Sequence, residues 1–461
     1  MAKLLTDWQP ENPSQWAQSG RSIARRNLWI SVPSLMLAFV VWQVWSVVVV
    51  KLPQVGFEFT KNQLFWLAAM PALSGATMRI FYSFMVPIFG GRRFTAVSTA
   101  SLLIPAIGLG ICVQNPNTSY ALMLVLALLC GFGGANFSSS MANISFFYPK
   151  AEKGNALGIN AGLGNLGVSV VQFVVPLVIT AGVFGAFGGE PQVLKNADGS
   201  TGSIWLQNAG FVWVPFIAIC AIAAWFGMND ISSAKASFKE QAVIFKRKHN
   251  WLMCWLYIGT FGSFIGFSAA FPLLTKSEFP MVDPTKYAFL GPFVGALSRV
   301  VGGWVSDRVP AGKVTQYSFI IMILAVCGVI FFLPHNGMGG NFWGFFSCFM
   351  LLFAFTGVGN ASTFAQAPRI FSALTELRLK NASEDMLYQA RNDAARESAA
   401  VVGFMGAIGA YGGFFIPKSF GTSLAVTGSP VAALVGFIVF YITCVLINWW
   451  YYARKNAEIE C

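Results

Sequence analysis

Stretches of about 20 apolar residues recur twelve times along the chain, and this recurrence constrains the fold more than any other feature. A bilayer core about 30 Å thick is crossed by about 20 residues of α-helix. The predicted spans cover residues 28–51, 62–89, 94–114, 119–147, 154–185, 205–228, 250–275, 286–306, 314–334, 341–371, 397–416 and 430–453. Hydrophobic residues make up 56% of the chain and charged residues only 10%, which excludes a soluble globular protein. The sequence therefore predicts an all-α polytopic membrane protein.

The positive charge of the chain sets its expected orientation. A net charge of +12 would suggest nucleic-acid binding in a soluble domain, but here the cations lie in short loops between apolar spans. An amino terminus in the cytoplasm places 22 of the 30 Lys and Arg residues on the inside, as the positive-inside rule requires. We therefore expect both termini in the cytoplasm, the lipid bilayer and not nucleic acid as the surroundings, and no cleaved signal peptide.

Internal repetition predicts two halves of six helices each. Span four carries Gly133-Gly134-Ala135-Asn136-Phe137-Ser138, and span ten carries Gly357-Val358-Gly359-Asn360-Ala361-Ser362. Each such match joins one span to the sixth span after it, the pattern of parallel repeats that frame a site near the bilayer midplane. The predicted domains are residues 1–228, a cytoplasmic linker at 229–249, and residues 250–461. A mixed-charge stretch at 372–396 is expected to be a helical excursion into the cytoplasm.

Two arginines lie inside predicted spans, in matching sequence contexts. Arg79 closes Gly75-Ala76-Thr77-Met78-Arg79 in span two, and Arg299 closes Gly295-Ala296-Leu297-Ser298-Arg299 in span eight. An ionised side chain at the centre of a membrane helix costs about 2.5 to 3.5 kcal/mol on insertion scales. All 18 Asp and Glu residues fall in loops or at span ends, so none is available as a partner at mid-membrane. Because guanidinium is planar, forked and always charged, we expect the pair to clamp a small planar oxyanion.

Glycines recur at short intervals in spans five and eleven. They include Gly162, Gly164, Gly167, Gly406, Gly409 and Gly412. Small residues at such spacing let membrane helices pack closely, and packing accounts for most of them. Asn165 lies among the first group at mid-span, where its amide can donate to an anion if spans five and eleven line a central cavity.

Two cytoplasmic segments occupy equivalent positions after spans two and eight. They are Gly90-Gly91-Arg92-Arg93 and Gly302-Gly303-Trp304-Val305-Ser306-Asp307-Arg308. We interpret Arg92, Arg93, Asp307 and Arg308 as parts of gates that connect helices, not as ligands.

Catalytic equipment is missing from the sequence. Neither histidine falls inside a span, the eight cysteines show no metal-like spacing, and there is no phosphate-binding loop or nucleophile elbow. We therefore expect neither an enzyme nor a bound metal or cofactor.

These residues also carry a family resemblance, which covers the chain from Arg26-Asn27-Leu28-Trp29-Ile30-Ser31-Val32 to Gly428-Ser429-Pro430-Val431. Its most specific parts are two glycine-rich signatures, residues 156–169 in span five and 403–417 in span eleven. The sequence resembles the nitrate/nitrite porters of the major facilitator superfamily, of the bacterial NarK/NarU type. The resemblance implies twelve helices in two pseudo-symmetric six-helix bundles, nitrate and nitrite as substrates, the bacterial cytoplasmic (inner) membrane as location, and a functional monomer.

The resemblance also assigns roles to individual residues. Arg79 and Arg299 would clamp the anion, Asn165 and Tyr257 would make polar contacts to it, and Phe137 and Phe261 would sandwich it. Three positions depart from the family pattern: Phe81 stands for a proline, Gly406 for a serine near the substrate, and Tyr411 for a small aliphatic residue. The departure at Gly406 removes a hydroxyl contact and bears on affinity and on the choice between nitrate and nitrite.

Exchange of nitrate for nitrite is the mechanism that the residues favour. Two like charges about 8 Å apart at an effective dielectric near 20 repel by about 2 kcal/mol, so the empty carrier resists closing and an anion relieves the repulsion. Three alternatives remain. A proton-coupled nitrate symporter would need an acid such as Asp307 or Glu397 to reach the pathway; the others are a passive anion channel and a nitrate sensor.

Overall fold

The computed structural model describes residues 4–196, 198–232, 242–334, 339–378, 397–398, 400–459 and 461. Within these ranges twelve helices are long and apolar enough to cross a membrane, which confirms the predicted all-α architecture. They are α1 (Pro13–Val55), α2 (Lys61–Phe89), α3 (Gly91–Cys112), α4 (Tyr120–Phe147), α5 (Lys150–Val178), α6 (Asn208–Gly227), α7 (Lys248–Glu278), α8 (Pro284–Ser306), α9 (Ala311–Phe332), α10 (Phe342–Thr375), α11 (Ala400–Thr427) and α12 (Val431–Ala453).

Two small sheets accompany the helices in the described part of the chain. Strand β1 (Leu4–Leu5) pairs in parallel with β4 (Asp230–Ile231), and β2 (Gln192–Lys195) pairs antiparallel with β3 (Thr201–Ile204). The first sheet joins the amino-terminal segment to the residues that follow α6, with Leu4 opposite Asp230.

Local sequence signals fix both ends of α2, the helix that carries Arg79. The helix begins with a capping box, in which the Thr60 side chain accepts a hydrogen bond from the Gln63 backbone N–H and the Gln63 side chain accepts from the Thr60 N–H. It ends at Gly90, whose φ of 86° lies in the region that favours glycine. The chain turns at this glycine and enters α3 one residue later.

Helix α7 is interrupted where two predicted site residues lie. It is α-helical over Lys248–Tyr257 and Ser263–Glu278, and the residues between them, Ile258–Gly262, form a wider π-helical turn. Such turns insert an extra residue into a helix, change the direction of its side chains, and are frequent at functional sites. Tyr257 lies at the start of this turn and Phe261 inside it.

Helix α11 runs about three turns beyond its predicted end at residue 416, to Thr427. Pro417 lies inside the helix. Membrane helices tolerate such a proline where neighbouring groups donate a hydrogen bond to the carbonyl that the proline leaves without a donor. The helix stops at Gly428, which has a φ of 71° and donates its N–H to the carbonyl of Leu424. The glycine, not the proline, therefore ends this helix.

The chain separates into two compact units. The first comprises residues up to 236 together with 268–289, and the second comprises residues 237–267 together with 290–461. The division into residues 1–228, 229–249 and 250–461 stays a prediction. Residues 233–241 of the predicted linker and 379–396 of the predicted excursion lie outside the described residues.

In each unit the arginine-bearing helix packs against another helix through glycines. A methyl group on Gly75 of α2 would lie 2.9 Å from the carbonyl oxygen of Gly131 on α4. In the second unit, a methyl group on Gly357 of α10 would lie 2.1 Å from the carbonyl oxygen of Gly295 on α8. Backbones that approach this closely leave no room for a side chain. The arginine one turn after Gly75 or Gly295 is thereby held against the neighbouring helix.

Candidate functional site

Arg79 is buried in the first unit, with 1% of its surface exposed. Its Nε donates a hydrogen bond of 2.8 Å to the carbonyl oxygen of Gly134 on α4. The guanidinium carbon lies 4.8 Å from the ring centroid of Phe137 and 5.1 Å from the ring of Trp42. The structure therefore brings Arg79 and Phe137 together and adds an indole from α1.

The aromatic rings offset part of the desolvation cost of Arg79. A cation over an aromatic face gains about 0.5 to 2 kcal/mol, more when desolvated and most with tryptophan. In the twelve described helices, acidic residues occur only in terminal turns, as Glu152 and Glu278. A ring stabilises guanidinium through its face and leaves the in-plane N–H groups to an anion, whereas a carboxylate would occupy them. The surroundings of Arg79 therefore suit a cation that must bind an anionic ligand.

Asn165 lies on α5 in the first unit and is 2% exposed. Neither its Nδ2 nor its Oδ1 has a hydrogen-bond partner among the described residues. A buried amide left without partners is costly, and native structures rarely keep one without a reason such as a ligand. The buried amide fits the predicted role of Asn165 as a polar contact to the anion.

The glycines around Asn165 differ in what they contact. A methyl group on Gly164 would lie 2.7 Å from Leu35 Cδ2, and one on Gly167 would lie 2.2 Å from the carbonyl oxygen of Met36. At Gly162 no neighbouring atom among the described residues lies within 4 Å of such a methyl group. Gly164 and Gly167 therefore let α5 pack against α1, while Gly162 faces open space.

Arg299 occupies the corresponding position in the second unit, on α8, and is partly exposed. Its guanidinium carbon lies 5.8 Å from the ring of Phe364 on α10. Its Nη1 is buried and has no hydrogen-bond partner in the part of the chain that the structure describes. Like Arg79, Arg299 therefore lies near an aromatic ring.

Tyr257 and Phe261 form one stacked pair in the second unit. Their ring centroids are 5.3 Å apart, the ring planes differ by 19°, and each residue is 2% exposed. Phe364 links this pair to Arg299, because its ring centroid lies 6.5 Å from that of Tyr257. The structure thus brings Arg299 and Tyr257 to Phe364, and Phe261 stacks on Tyr257.

Glycines of α11 determine how closely this helix approaches α7. A methyl group on Gly409 would lie 2.6 Å from Tyr257 Cδ1, and one on Gly412 would lie 2.4 Å from Gly262 Cα. In the described part of the chain, no neighbouring atom lies within 4 Å of a methyl group on Gly406. Gly409 therefore supports Tyr257 directly, Gly412 provides helix packing, and Gly406 has space beside it.

The corner between α2 and α3 holds a buried ion pair. Arg92 Nε lies 3.1 Å from Asp230 Oδ2, with 7% and 9% of the two side chains exposed. The Arg92 backbone N–H donates to Asp230 Oδ1 at 2.9 Å, and Arg92 Nη1 donates to the carbonyl oxygen of Trp225 at 2.8 Å. Arg93 is mostly exposed and approaches Asp230 Oδ2 at 3.8 Å. Asp230 therefore ties this corner to the end of α6.

The equivalent corner after α8 is more open. The Asp307 side chain is 75% exposed and lies 3.6 Å from Arg369 Nη2. Arg308 donates to the carbonyl oxygen of Trp304, and its guanidinium carbon lies 3.9 Å from the Trp304 ring. Of the four residues predicted to act in gates, Arg92 thus lies in a buried ion pair, whereas Arg93, Asp307 and Arg308 make exposed contacts.

Comparison with known proteins places the chain in a family. The family model of the Major Facilitator Superfamily matches residues 29–382. "Nitrate/nitrite transporter NarU" from Escherichia coli (strain K12) is 54% identical over 458 residues, which covers 98% of this chain and 97% of that protein. The chain belongs to the nitrate/nitrite porters of the major facilitator superfamily. The resemblance seen in its signatures is thereby confirmed.

Other matches agree with this assignment. "Probable nitrate/nitrite antiporter NarK2" from Thermus thermophilus is 43% identical over 461 residues, which covers 99% of this chain and 98% of that protein. A crystal structure of a bacterial homologue of the human lysosomal transporter Spinster, inward-facing and unoccupied, aligns with a TM-score of 0.61 at 14% identity, over 94% of this chain and 97% of that one. The structural match confirms the superfamily fold, and the relatives are named as transporters, not as enzymes.

Three groups around the arginines of this porter were missed by sequence reasoning. They are the indole of Trp42, the carbonyl of Gly134 and the ring of Phe364. The chain contains 15 Trp and 44 Phe, so an aromatic residue in an apolar span gives no signal of its own. Gly134 was noticed only as part of a repeat; its contact with Arg79 depends on how α2 and α4 pack.

Proposed function

We propose that this porter carries nitrate and nitrite across the cytoplasmic membrane of a bacterium, exchanging one for the other by alternating access. The observation that carries the proposal is the repeated arrangement of a membrane arginine beside aromatic rings, once in each unit. The names of the similar proteins supply the substrates. The porter works as a monomer, with both termini in the cytoplasm.

The chemistry of these residues suits a flat, singly charged anion. Guanidinium donates in its own plane, so two such groups bind the edge of a planar oxyanion through paired hydrogen bonds. Aromatic rings such as Phe137 and Phe261 present flat apolar faces to the faces of the anion. Asn165 and Tyr257 add single donors. Arg79 and Arg299 are the residues that clamp the anion in this proposal.

Charge balance favours exchange over uniport. Two permanently charged arginines that approach each other without an anion repel, and each has also lost hydration. Either nitrate or nitrite offsets one of the two positive charges and attracts both arginines, so the porter changes conformation mainly when loaded. Such a carrier returns with an anion and therefore exchanges.

Proton-coupled symport is the second candidate, and the ion pairs of its acids weigh against it. Glu397 Oε1 accepts hydrogen bonds from Arg247 Nη2 at 2.7 Å and from Arg247 Nε at 2.9 Å. Asp307 is largely exposed beside Arg369. Both acids therefore lie in ion pairs with arginines of the same unit.

The deciding experiment is counterflow in proteoliposomes. Vesicles loaded with nitrite, loaded with nitrate, or empty are given labelled nitrate outside, at equal and at unequal pH. Exchange predicts uptake that needs an internal anion and ignores the pH gradient. Uptake into empty vesicles that is accelerated by external acid would replace exchange with symport. Conductance without counterflow would indicate a channel, and binding without flux would indicate a sensor.

Substitution of the arginines tests the site itself. R79K and R299K keep the charge but lose the forked geometry, so we expect at least a hundredfold loss of counterflow, as about 3 kcal/mol for two lost charge-assisted hydrogen bonds implies. The matched control is R21K, whose side chain is 67% exposed and pairs with Glu152. Counterflow by R79K within a few-fold of the unmodified porter would overturn the clamp.

A further inference from the structure

The indole of Trp42 lies in a slot between two glycines. Trp42 belongs to α1 and is 1% exposed. A methyl group on Gly75 of α2 would lie 2.9 Å from Trp42 Nε1, and one on Gly134 of α4 would lie 2.4 Å from Trp42 Cε2. Both glycines are therefore required for the ring to occupy this place.

A hydrogen bond fixes the orientation of the ring in that slot. Trp42 Nε1 donates to the carbonyl oxygen of Pro71 on α2 at 2.8 Å. Pro71, Gly75 and Arg79 are spaced four residues apart, so they lie along one face of α2. The indole is attached to the same helix face that presents Arg79.

The ring contacts the arginine that it lies beside. The guanidinium carbon of Arg79 is 5.1 Å from the indole and 4.8 Å from the ring of Phe137. Phe39 packs edge-on against both aromatic residues, with centroid distances of 5.3 Å to Trp42 and 6.1 Å to Phe137. The backbone carbonyl of Gly134, which accepts from Arg79 Nε, belongs to one of the two glycines of the slot. The same small group of residues therefore holds the ring and the guanidinium.

We propose that Trp42 is a positioning residue for anion binding, which sets the orientation of the Arg79 guanidinium through its face and leaves the edge to the anion. The proposal rests on the proposed transport function, because it names Arg79 as an anion ligand. The indole acts through Arg79 and not by touching the anion. It also stabilises the cation in the interval when no anion is bound.

Three variants test the proposal in counterflow measurements that report KM and maximal rate separately. W42L removes the aromatic face, and we expect KM for nitrate to rise about tenfold, which corresponds to about 1.4 kcal/mol. W42F keeps a ring and loses the hydrogen bond to Pro71, and we expect a rise of about threefold. G134A pushes a methyl group into the indole and should resemble W42L. In each case the maximal rate should change less than KM.

Matched controls separate positioning from loss of structure. W45F alters another fully buried tryptophan on α1. G436A adds a methyl group in α12 at a point with no neighbouring atom of the described residues within 4 Å. Both should leave KM unchanged. If W42L fails to fold, W42F and G134A still carry the test.

A double-mutant cycle with R79K gives the readout that a merely structural role would not move. If Trp42 acts through Arg79, W42F should raise KM in the unmodified porter and have no further effect in R79K. Equal effects in both backgrounds, or an unchanged KM in W42F and G134A, would overturn the proposal. Failure of the transport function itself is distinguishable, because the unmodified porter would then show no counterflow.

Discussion

The buried ion pair between Arg92 and Asp230 makes a quantitative prediction about stability. At the 3.1 Å that separates Arg92 Nε from Asp230 Oδ2, and at an effective dielectric of about 20, the attraction is about 5 kcal/mol. The variant D230N keeps the shape of the side chain and an acceptor for the Arg92 backbone N–H, and removes the charge. It leaves Arg92 buried beside Trp225 without a counter-ion, which typically costs about 3 to 5 kcal/mol.

An exposed ion pair provides the matched comparison. Arg21 Nη2 lies 2.8 Å from Glu152 Oε1, and 67% and 39% of the two side chains are exposed. Because solvent screens this pair, R21Q should cost at most about 1 kcal/mol. Equilibrium unfolding of D230N, R21Q and the unmodified porter in one detergent measures both losses. A loss for D230N no larger than for R21Q would refute the reasoning from burial.

The same variant tests whether this corner acts as a gate. Eleven residues of helix separate Arg79 from Gly90, a distance of about 16 Å at 1.5 Å per residue. D230N should therefore leave KM for nitrate within about twofold and lower the maximal counterflow rate, because it loosens the corner without reaching Arg79. A large change in KM with an unchanged rate would show that Asp230 acts on the binding site and not on the corner.

Three further predictions concern single side chains. G409A should raise KM for nitrate about tenfold in counterflow, because its methyl group would lie 2.6 Å from Tyr257 Cδ1, and an unchanged KM would show that Tyr257 has no part in binding. G406S adds a hydroxyl at a point with no neighbouring atom of the described residues within 4 Å. The free energy of unfolding should therefore change by less than about 0.5 kcal/mol, while the ratio of the KM values for nitrate and nitrite shifts. A large loss of stability would show that the space beside Gly406 is not open. Burial raises the pKa of Asp283, but the nearby Lys51 ammonium and the hydrogen bonds from Thr285 outweigh it and hold the pKa below its usual value. The Lys51–Asp283 pair therefore stabilises the fold above about pH 4, and this stabilisation is lost as the pH falls through the lowered pKa. D283N should cost about 0.5 to 1 kcal/mol of unfolding free energy at pH 7, because 39% of the Asp283 side chain is exposed. A cost of D283N that grew on acidification would contradict the lowered pKa.

The helices and the arginines were predictable because each depends on one strong physical cost. Leaving backbone groups unpaired in hydrocarbon is costly, so stretches of about 20 apolar residues must be helices. A cation in such a stretch is costly too, so Arg79 and Arg299 stood out from the remaining Lys and Arg. Neither argument needs to know which helices touch each other.

The surroundings of these residues were not predictable, because they depend on contacts between distant segments. Asp230 pairs with Arg92, which lies 138 positions away in the chain. In the sequence after α6, nothing distinguishes Asp230 from other acidic residues in loops. The π-helical turn at Ile258–Gly262 has no propensity signal, yet it determines where Tyr257 and Phe261 lie. The eleventh span is predicted to end at residue 416, but the helix continues to Thr427 and ends at Gly428, which has a positive φ.

The proposed exchange mechanism needs no proton-carrying residue, and the distribution of charge explains why. The described membrane helices carry their acids only in terminal turns. Glu397, one of the two acids on which symport would depend, accepts hydrogen bonds from Arg247. Within these described helices the acids therefore lie at helix ends, whereas Arg79 and Arg299 lie in helix interiors. In the proposed exchange mechanism the substrate supplies negative charge beside the arginines, and both nitrate and nitrite provide one charge. In that proposal the aromatic rings beside Arg79 and Arg299 stabilise the cations between two anions without replacing the anion.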